Sequence, residues 1–407
     1  MWPASIAFPP GPTFIQKLDT YLDLVRNPRP SAEVDDSSDH ATTTELYGSP
    51  LQRGDLLEIQ GPSGSGKTSL VLFFIMITIL PETYETGKSQ GEVGGKIKVE
   101  IGGKGQRAAL LYLASGPAPI DKLKRAMKVH LEQCFRAAGM GSPANLDKAV
   151  EDIMQAALGR LVLFKIPSSS DGLDLETTSS SWAGVCSGLR SLLFYAKRRA
   201  EGEIALVIVD GLGDPYWQAR WYKDQQHKQA RNSKAITTGI IASSELTMED
   251  VMESLTTLRK DLGCVVMVTN QSLWKPVHPQ TGKTDTTSSF WAEHLPSPWP
   301  DPFQIKVDQG RESANPVLRA KTSRYWPLNV HITLSSPASA TRQFRPDITL
   351  EETWKQGGEG YKREMARREA VWKGIVRVNL GSSTRGTNQP EYGEFDMRIG
   401  SDGIVVE

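Results

Sequence analysis

Cysteine is scarce in this chain: Cys134, Cys186 and Cys264 are scattered and odd in number among 407 residues. That pattern argues against a disulfide framework and a zinc site, and it suits a reducing compartment. The six histidines show no metal-ligand spacing. An excess of either charge is also missing, since Lys plus Arg and Asp plus Glu both total 47. A neutral chain does not coat nucleic acid by charge alone, although a local basic loop stays open. No apolar run is long enough to span a bilayer. The longest, "LVLFFIMITIL" at residues 70–80, reads as a buried helix. "MWPASIAFPPGPTF" at the start has no charged stretch leading into an apolar one, so no secretory signal is expected. A soluble, intracellular protein without a membrane partner is the expectation.

The length suits two or three domains, or one domain with large insertions. Hydrophobic residues make up 39%, enough for one good core plus polar segments. Phe14, Leu18, Tyr21, Leu22 and Val25 fall on one face of a short amphipathic helix. Such a helix needs a surface to bury its stripe, and a neighbouring subunit is the expected one. Residues 27–45 are polar and turn-rich and read as a linker, so 1–50 is set apart as an N-terminal segment.

From residue 51 an α/β pattern follows. "DLLEIQ", residues 97–101, 108–113, "LGRLVLFKIP", "IALVIVD" and "GCVVMVTNQ" read as strands. Residues 70–80, 121–137, 182–200 and 251–262 read as helices. Short apolar strands alternating with helices imply a mostly parallel sheet flanked by helices. Long insertions are expected at 216–246, 273–302 and 336–392. The last contains "TLEETWKQGGEGYKREMARREAVWKG", residues 349–374, read as a charged, solvated helix. "PFQIKVDQ", "VLRAKTS", "NVHITLS" and "GEFDMRIGSDGIVVE" make a strand-rich C-terminal extension.

Gly61-Pro62-Ser63-Gly64-Ser65-Gly66-Lys67-Thr68 fits G-x-x-x-x-G-K-[ST], between an apolar strand and an apolar helix. Such a loop must turn its backbone N–H groups inward, and glycines supply the φ values and the room. The helix that follows adds free N–H groups and a positive dipole end. Together with Ser69 these residues are the candidate ATP site. Lys67 is placed for the β/γ-phosphates and the Thr68 hydroxyl for Mg²⁺. Asp210 ends a buried strand, where an acid can hold Mg²⁺ directly or through water. Gln271, beside Asn270, ends the next apolar strand and is a candidate γ-phosphate sensor; an ordinary loop-capping amide reads equally well.

A phosphate loop, an apolar strand ending in Asp and one ending in Asn-Gln, in that order, resemble a RecA-like P-loop NTPase core. "GDLLEIQGPSGSGKTSLVLFFIMITILP" and "LVIVDGLGDPYWQARW" resemble the eukaryotic recombinase paralogues of homologous recombination. The terminal "FDMRIGSDGIVVE" resembles the last hairpin of that core. The resemblance implies an ATP- and Mg²⁺-binding nuclear protein of DNA repair. It would work with other recombinase paralogue subunits on recombinase filaments on single-stranded DNA. It also implies a water-activating glutamate after "ALLYL", but Ala114 and Gly116 stand where the family has acidic residues. Neither can deprotonate water, so hydrolysis is expected to be weak or absent. An active DNA-stimulated ATPase, with Asp121 or a partner's residue as base, and a P-loop small-molecule kinase remain the alternatives.

In RecA-type proteins the loops after the Asp and Gln strands face DNA. The first here carries Trp217 and Trp221 among Arg220, Lys223, Lys228 and Arg231. Aromatic faces stack on unpaired bases and cations track phosphates, so these six are the candidate DNA contacts. The second loop is aromatic but poor in cations. "FRAA" at 135–138 resembles the Phe-x-x-Ala plug of recombinases, but Phe135 on a helix's apolar face reads better as core.

Overall fold

The computed structural model describes residues 11–26, 50–85, 98–113, 117–139, 143–166, 181–198, 203–213, 246, 248–271, 328–335, 371–378, 392–400 and 403–406. The chain runs α1 (Gln16–Arg26), β1 (Leu56–Gly61), α2 (Lys67–Ile79), β2 (Thr83–Glu85), β3 (Lys98–Glu100), β4 (Arg107–Tyr112), α3 (Ile120–Ala137) and α4 (Pro143–Leu158). It continues β5 (Leu161–Lys165), α5 (Ser181–Arg198), β6 (Ile204–Asp210), α6 (Met248–Leu262), β7 (Val265–Gln271), β8 (Val330–Ser335), β9 (Val371–Val378), β10 (Gly393–Gly400) and β11 (Gly403–Val406).

Nine strands form one sheet in the order β11-β10-β9-β8-β1-β7-β6-β4-β5. From β8 to β5 all pairings are parallel. β9, β10 and β11 then add antiparallel, so the C-terminal extension continues the same sheet. The expected α/β architecture is the observed one. Alternation along each strand sends side chains to two cores. Ile59, Ile208 and Met267 join α1, α2, α3 and α4 on one face. Leu56, Val207, Val209, Val266 and Val268 join α5 and α6 on the other. The apolar run lies in α2 as far as Ile79, buried on nearly every side, and Leu80 caps the helix in an extended conformation. No helix among the described residues is long and apolar enough to cross a membrane.

Three differences from the sequence reading matter. The stripe of α1 is buried against this chain's own sheet, with Leu18, Tyr21, Leu22 and Val25 in the main core. Tyr21 lies on Gly393, where any Cβ would strike its ring. Arg26 pairs with Asp55 at 2.7 Å, both side chains almost fully buried. The stripe needs no neighbouring subunit to cover it. Secondly, α4 is a helix the sequence reading passed over, although Leu146, Val150, Ile153 and Ala157 recur at helical spacing. Thirdly, residues 371–374 begin a strand. Charge earlier in the segment masked the alternation of Trp372, Gly374 and Val376, and β9 lies inside the sheet rather than in an insertion at 336–392. Phe135 is 0% exposed and meets the Tyr84 ring edge-on at 5.8 Å, which is a core role. The three cysteines are free thiols, and burial pushes Cys264 up to about 12.

Candidate functional site

Parallel register brings the chemistry to one edge of the sheet. Gly61, the first loop residue, pairs with Gln271, and Asp210 ends β6 on the far side of β7. Open α/β sheets bind ligands at this carboxyl edge. Strand alternation places Asp210, Thr269 and Gln271 on the α2 side and Asn270 on the opposite side.

The loop has the shape that a phosphate cradle needs. Gly66 takes φ 92, a left-handed conformation, and a Cβ there would also collide with Ile399 of β10. Only glycine fits, and the turn starts α2 at Lys67 with its first N–H groups facing the loop. Lys67 Nζ donates to Gly61 O and Pro62 O, each at 2.8 Å, so the ammonium lies across the cradle. The C-terminal strands brace the loop from beneath. Trp372 Nε1 donates to Gly64 O at 3.3 Å, and Met397 and Ile399 pack at Gly66.

Thr68 and Asp210 meet at this edge, with Thr68 Oγ1 3.5 Å from Asp210 Oδ2. Thr269 was not singled out in the sequence. Its hydroxyl donates to Asp210 Oδ1 at 2.6 Å and accepts from Gly211 N at 2.8 Å, fixing the carboxylate's orientation. The signal was available: in "VVMVTNQ" period two places Thr269 on the same face as Gln271. Asp210 is 6% exposed, and desolvation raises its pKa above the usual carboxylate value of 3.8, against hydrogen bonds from Thr269 and Thr68 and the charge of Lys67. A half-buried hydroxyl beside a buried carboxylate suits a hard cation such as Mg²⁺.

The sign of this shift makes a prediction. A carboxyl whose folded pKa is raised contributes stability below its unfolded pKa and loses it as pH rises through the folded value. Asp210→Asn removes the charged form, so the ligand-free variant should melt higher than wild type near neutral pH. The gain should vanish as pH falls toward the ordinary value of 3.8. The same variant should lose Mg²⁺-dependent nucleotide affinity about tenfold or more, as expected for a lost charged contact. Calorimetry across pH and nucleotide titration with and without Mg²⁺ check both halves.

Asn270 turns from the site to a buried polar row. Its Nδ2 donates to Glu58 Oε1 at 3.2 Å. Arg377 Nη2 donates to His331 Nδ1 at 3.3 Å, which leaves Nε2–H of the neutral ring to donate to Gln60 Oε1 at 3.2 Å. These bonds link β7, β1, β8 and β9 on the face opposite α2. Sequence reasoning grouped Asn270 with Gln271; the pleat separates them.

Ala114 and Gly116 lie outside the described residues, as do Trp217, Arg220, Trp221, Lys223, Lys228 and Arg231 and the strand-like stretches at 302–309 and 317–323. Asp121 stands exposed on the first turn of α3. No protein-family model matches the chain, and no curated protein matches it in sequence. Among solved structures, the RadB recombinase aligns with 86% of this chain and 90% of its own, at 14% identity and a TM-score of 0.36. A likeness of this size leaves any functional assignment to the site itself.

Proposed function

We propose that this chain is an ATP- and Mg²⁺-binding RecA-like subunit of a homologous-recombination DNA repair complex in the nucleus. It assists recombinase filament assembly on single-stranded DNA alongside other recombinase paralogue subunits. Its intrinsic hydrolysis is weak or absent. Within the paralogues its motifs are most like those of the second X-ray-repair cross-complementing paralogue.

The observation that carries the nucleotide assignment is the meeting of Lys67, Thr68, Asp210 and Gln271 at one sheet edge, beside a loop that only glycine can close. Gly61–Thr68 and Ser69 would hold the phosphates, and Thr68 and Asp210 the metal, which neutralises phosphate charge when bound. The weak-hydrolysis reading rests on the side chains at 114 and 116, which carry no base, and on Asp121, which faces solvent. A missing general base costs about 10²–10⁴-fold in rate. Recombination and DNA are supported by the motif order and by the Trp-, Arg- and Lys-bearing residues 217–231.

The test combines nucleotide binding, turnover and capture of partners. Purified protein should bind ATP, release phosphate slowly, and respond little to single-stranded DNA. Paralogue subunits should co-purify with it from its native cell. Rapid DNA-stimulated turnover would overturn the weak-hydrolysis reading, and phosphate transfer to a small acceptor would replace it with a kinase. Unchanged single-stranded DNA affinity in the Trp217→Ala/Trp221→Ala double variant would remove the DNA-contact assignment.

A further inference from the structure

Residues 101–106, Ile-Gly-Gly-Lys-Gly-Gln, close the carboxyl end of α2. Lys104 N donates to Ile77 O at 2.9 Å and Gln106 N to Thr78 O at 2.8 Å, which satisfies two carbonyls the helix itself leaves open. Gly103 lies so close to Leu80 O that a Cβ would collide with it. The backbone of Lys104 is thereby fixed, and its half-buried side chain runs beneath residues 11–14. Its Nζ lies 5.9 Å from the centre of the Phe14 ring. A Cβ on Gly11 would stand 3.4 Å from its Cε.

Asp19 attracts this ammonium, and its carboxylate also accepts from Thr13 N at 2.7 Å and Phe14 N at 3.0 Å. Burial acts against both charges. It lifts the Asp19 carboxyl above its ordinary 3.8 and, against the pull of Asp19, brings Lys104 down from 10.5 to about 8. At pH 7 roughly 10% of Lys104 is then the neutral, nucleophilic amine, against about 0.03% of a lysine at 10.5. Lys104 also lines a cavity of about 20 Å³, partly open to solvent, with Pro12, Thr13, Ile77 and Thr78. That is room for about one water or one small acyl group. Gln106 lines it too, and its buried Oε1 takes no hydrogen bond among the described residues, so the cavity offers an acceptor to an amide N–H.

We propose that Lys104 is a modification site, which takes an acetyl group from an activated acetyl thioester through this cavity. The amine nitrogen attacks the thioester carbonyl carbon. A C–N bond forms, the C–S bond breaks, and the sulfur leaves as a thiolate that takes up the proton lost by nitrogen. The product is a neutral amide, so the step removes the cation beside Asp19 and the Phe14 ring. The fold tolerates that loss because burial already disfavours the charge. The cavity lies near the starts of β6 and β7, where Ala205 and Val265 line it, at the sheet edge opposite the phosphate loop. The inference therefore does not rest on the nucleotide reading.

Exposure of the folded full chain to acetyl-coenzyme A at pH 7.4, read by peptide mass spectrometry, tests this. Lys104 should acquire acetyl about tenfold faster than Lys128 and Lys197, its larger neutral fraction outweighing its burial. Those two are fair references, since their side chains are 56% and 59% exposed. The rate at Lys104 should level off above a pH of about 8, where the amine is already neutral. Hexanoyl-coenzyme A should show no preference for Lys104, because the cavity has no room for the longer chain. In urea that unfolds the protein, the acetyl preference should disappear. Acetylation of Lys104 no faster than that of both references in the folded chain overturns the inference. So does a preference that survives in urea, which would place its cause in the local sequence rather than in the site. Equal preference with the hexanoyl donor would overturn the role given to the cavity.

Discussion

Lys67→Ala is expected to abolish measurable nucleotide binding while leaving the fold intact. The side chain donates to Gly61 O and Pro62 O, so its ammonium already lies over the loop where phosphate oxygens would take those protons. A hydrogen bond to a charged group contributes about 1.5–3 kcal/mol, and a lysine bridging two phosphates makes more than one such bond. A loss of about 100-fold or more in affinity follows. The fold should tolerate the change, because alanine is a strong helix former at the first position of α2 and little apolar area is lost. Calorimetric titration with ATP and Mg²⁺, paired with a melting curve, checks both halves. Binding within a few-fold of wild type would refute the phosphate-loop assignment.

Trp372→Ala should both destabilise the protein and loosen the loop. Trp372 is 2% exposed in the main core, and its indole N–H donates to Gly64 O within the phosphate loop. Truncating a buried aromatic of this size costs about 3–5 kcal/mol, from lost burial and the cavity left behind. Trp372→Phe separates the two roles. It keeps most of the packing but removes the donor, so it should lose roughly 1 kcal/mol and still bind nucleotide more weakly than wild type. Urea unfolding gives the stability, and titration of the folded protein gives the affinity. Full affinity in Trp372→Phe would show that the loop holds its shape without this brace.

The phosphate loop was legible because its constraint is local. Gly66 must be glycine for its own φ, and Lys67 and Thr68 lie within one turn of it. Asp210 was legible as a candidate for a similar reason, since an acid that ends an apolar strand stands out from the run before it. Thr269 was missed although its period was readable. Its importance lies in a bond to a residue 59 positions away. Trp372 was misplaced because the charged residues before it fit a solvated helix, and the strand declares itself only when β8 and β10 are alongside.

By itself, the sequence determined most of the alternation of strands and helices, the two-faced sheet and the strand–loop–helix run from β1 to α2. Each of these follows from backbone conformation or from periodicity within a single element. The tertiary structure alone decided what surrounds the cradle. The stripe of α1 closes on the chain's own C-terminal strands, and β9 and β10 support the loop. Lys122 rather than Asp121 meets the first turn of α2. Those choices depend on which distant segments come into register, and no local periodicity encodes that.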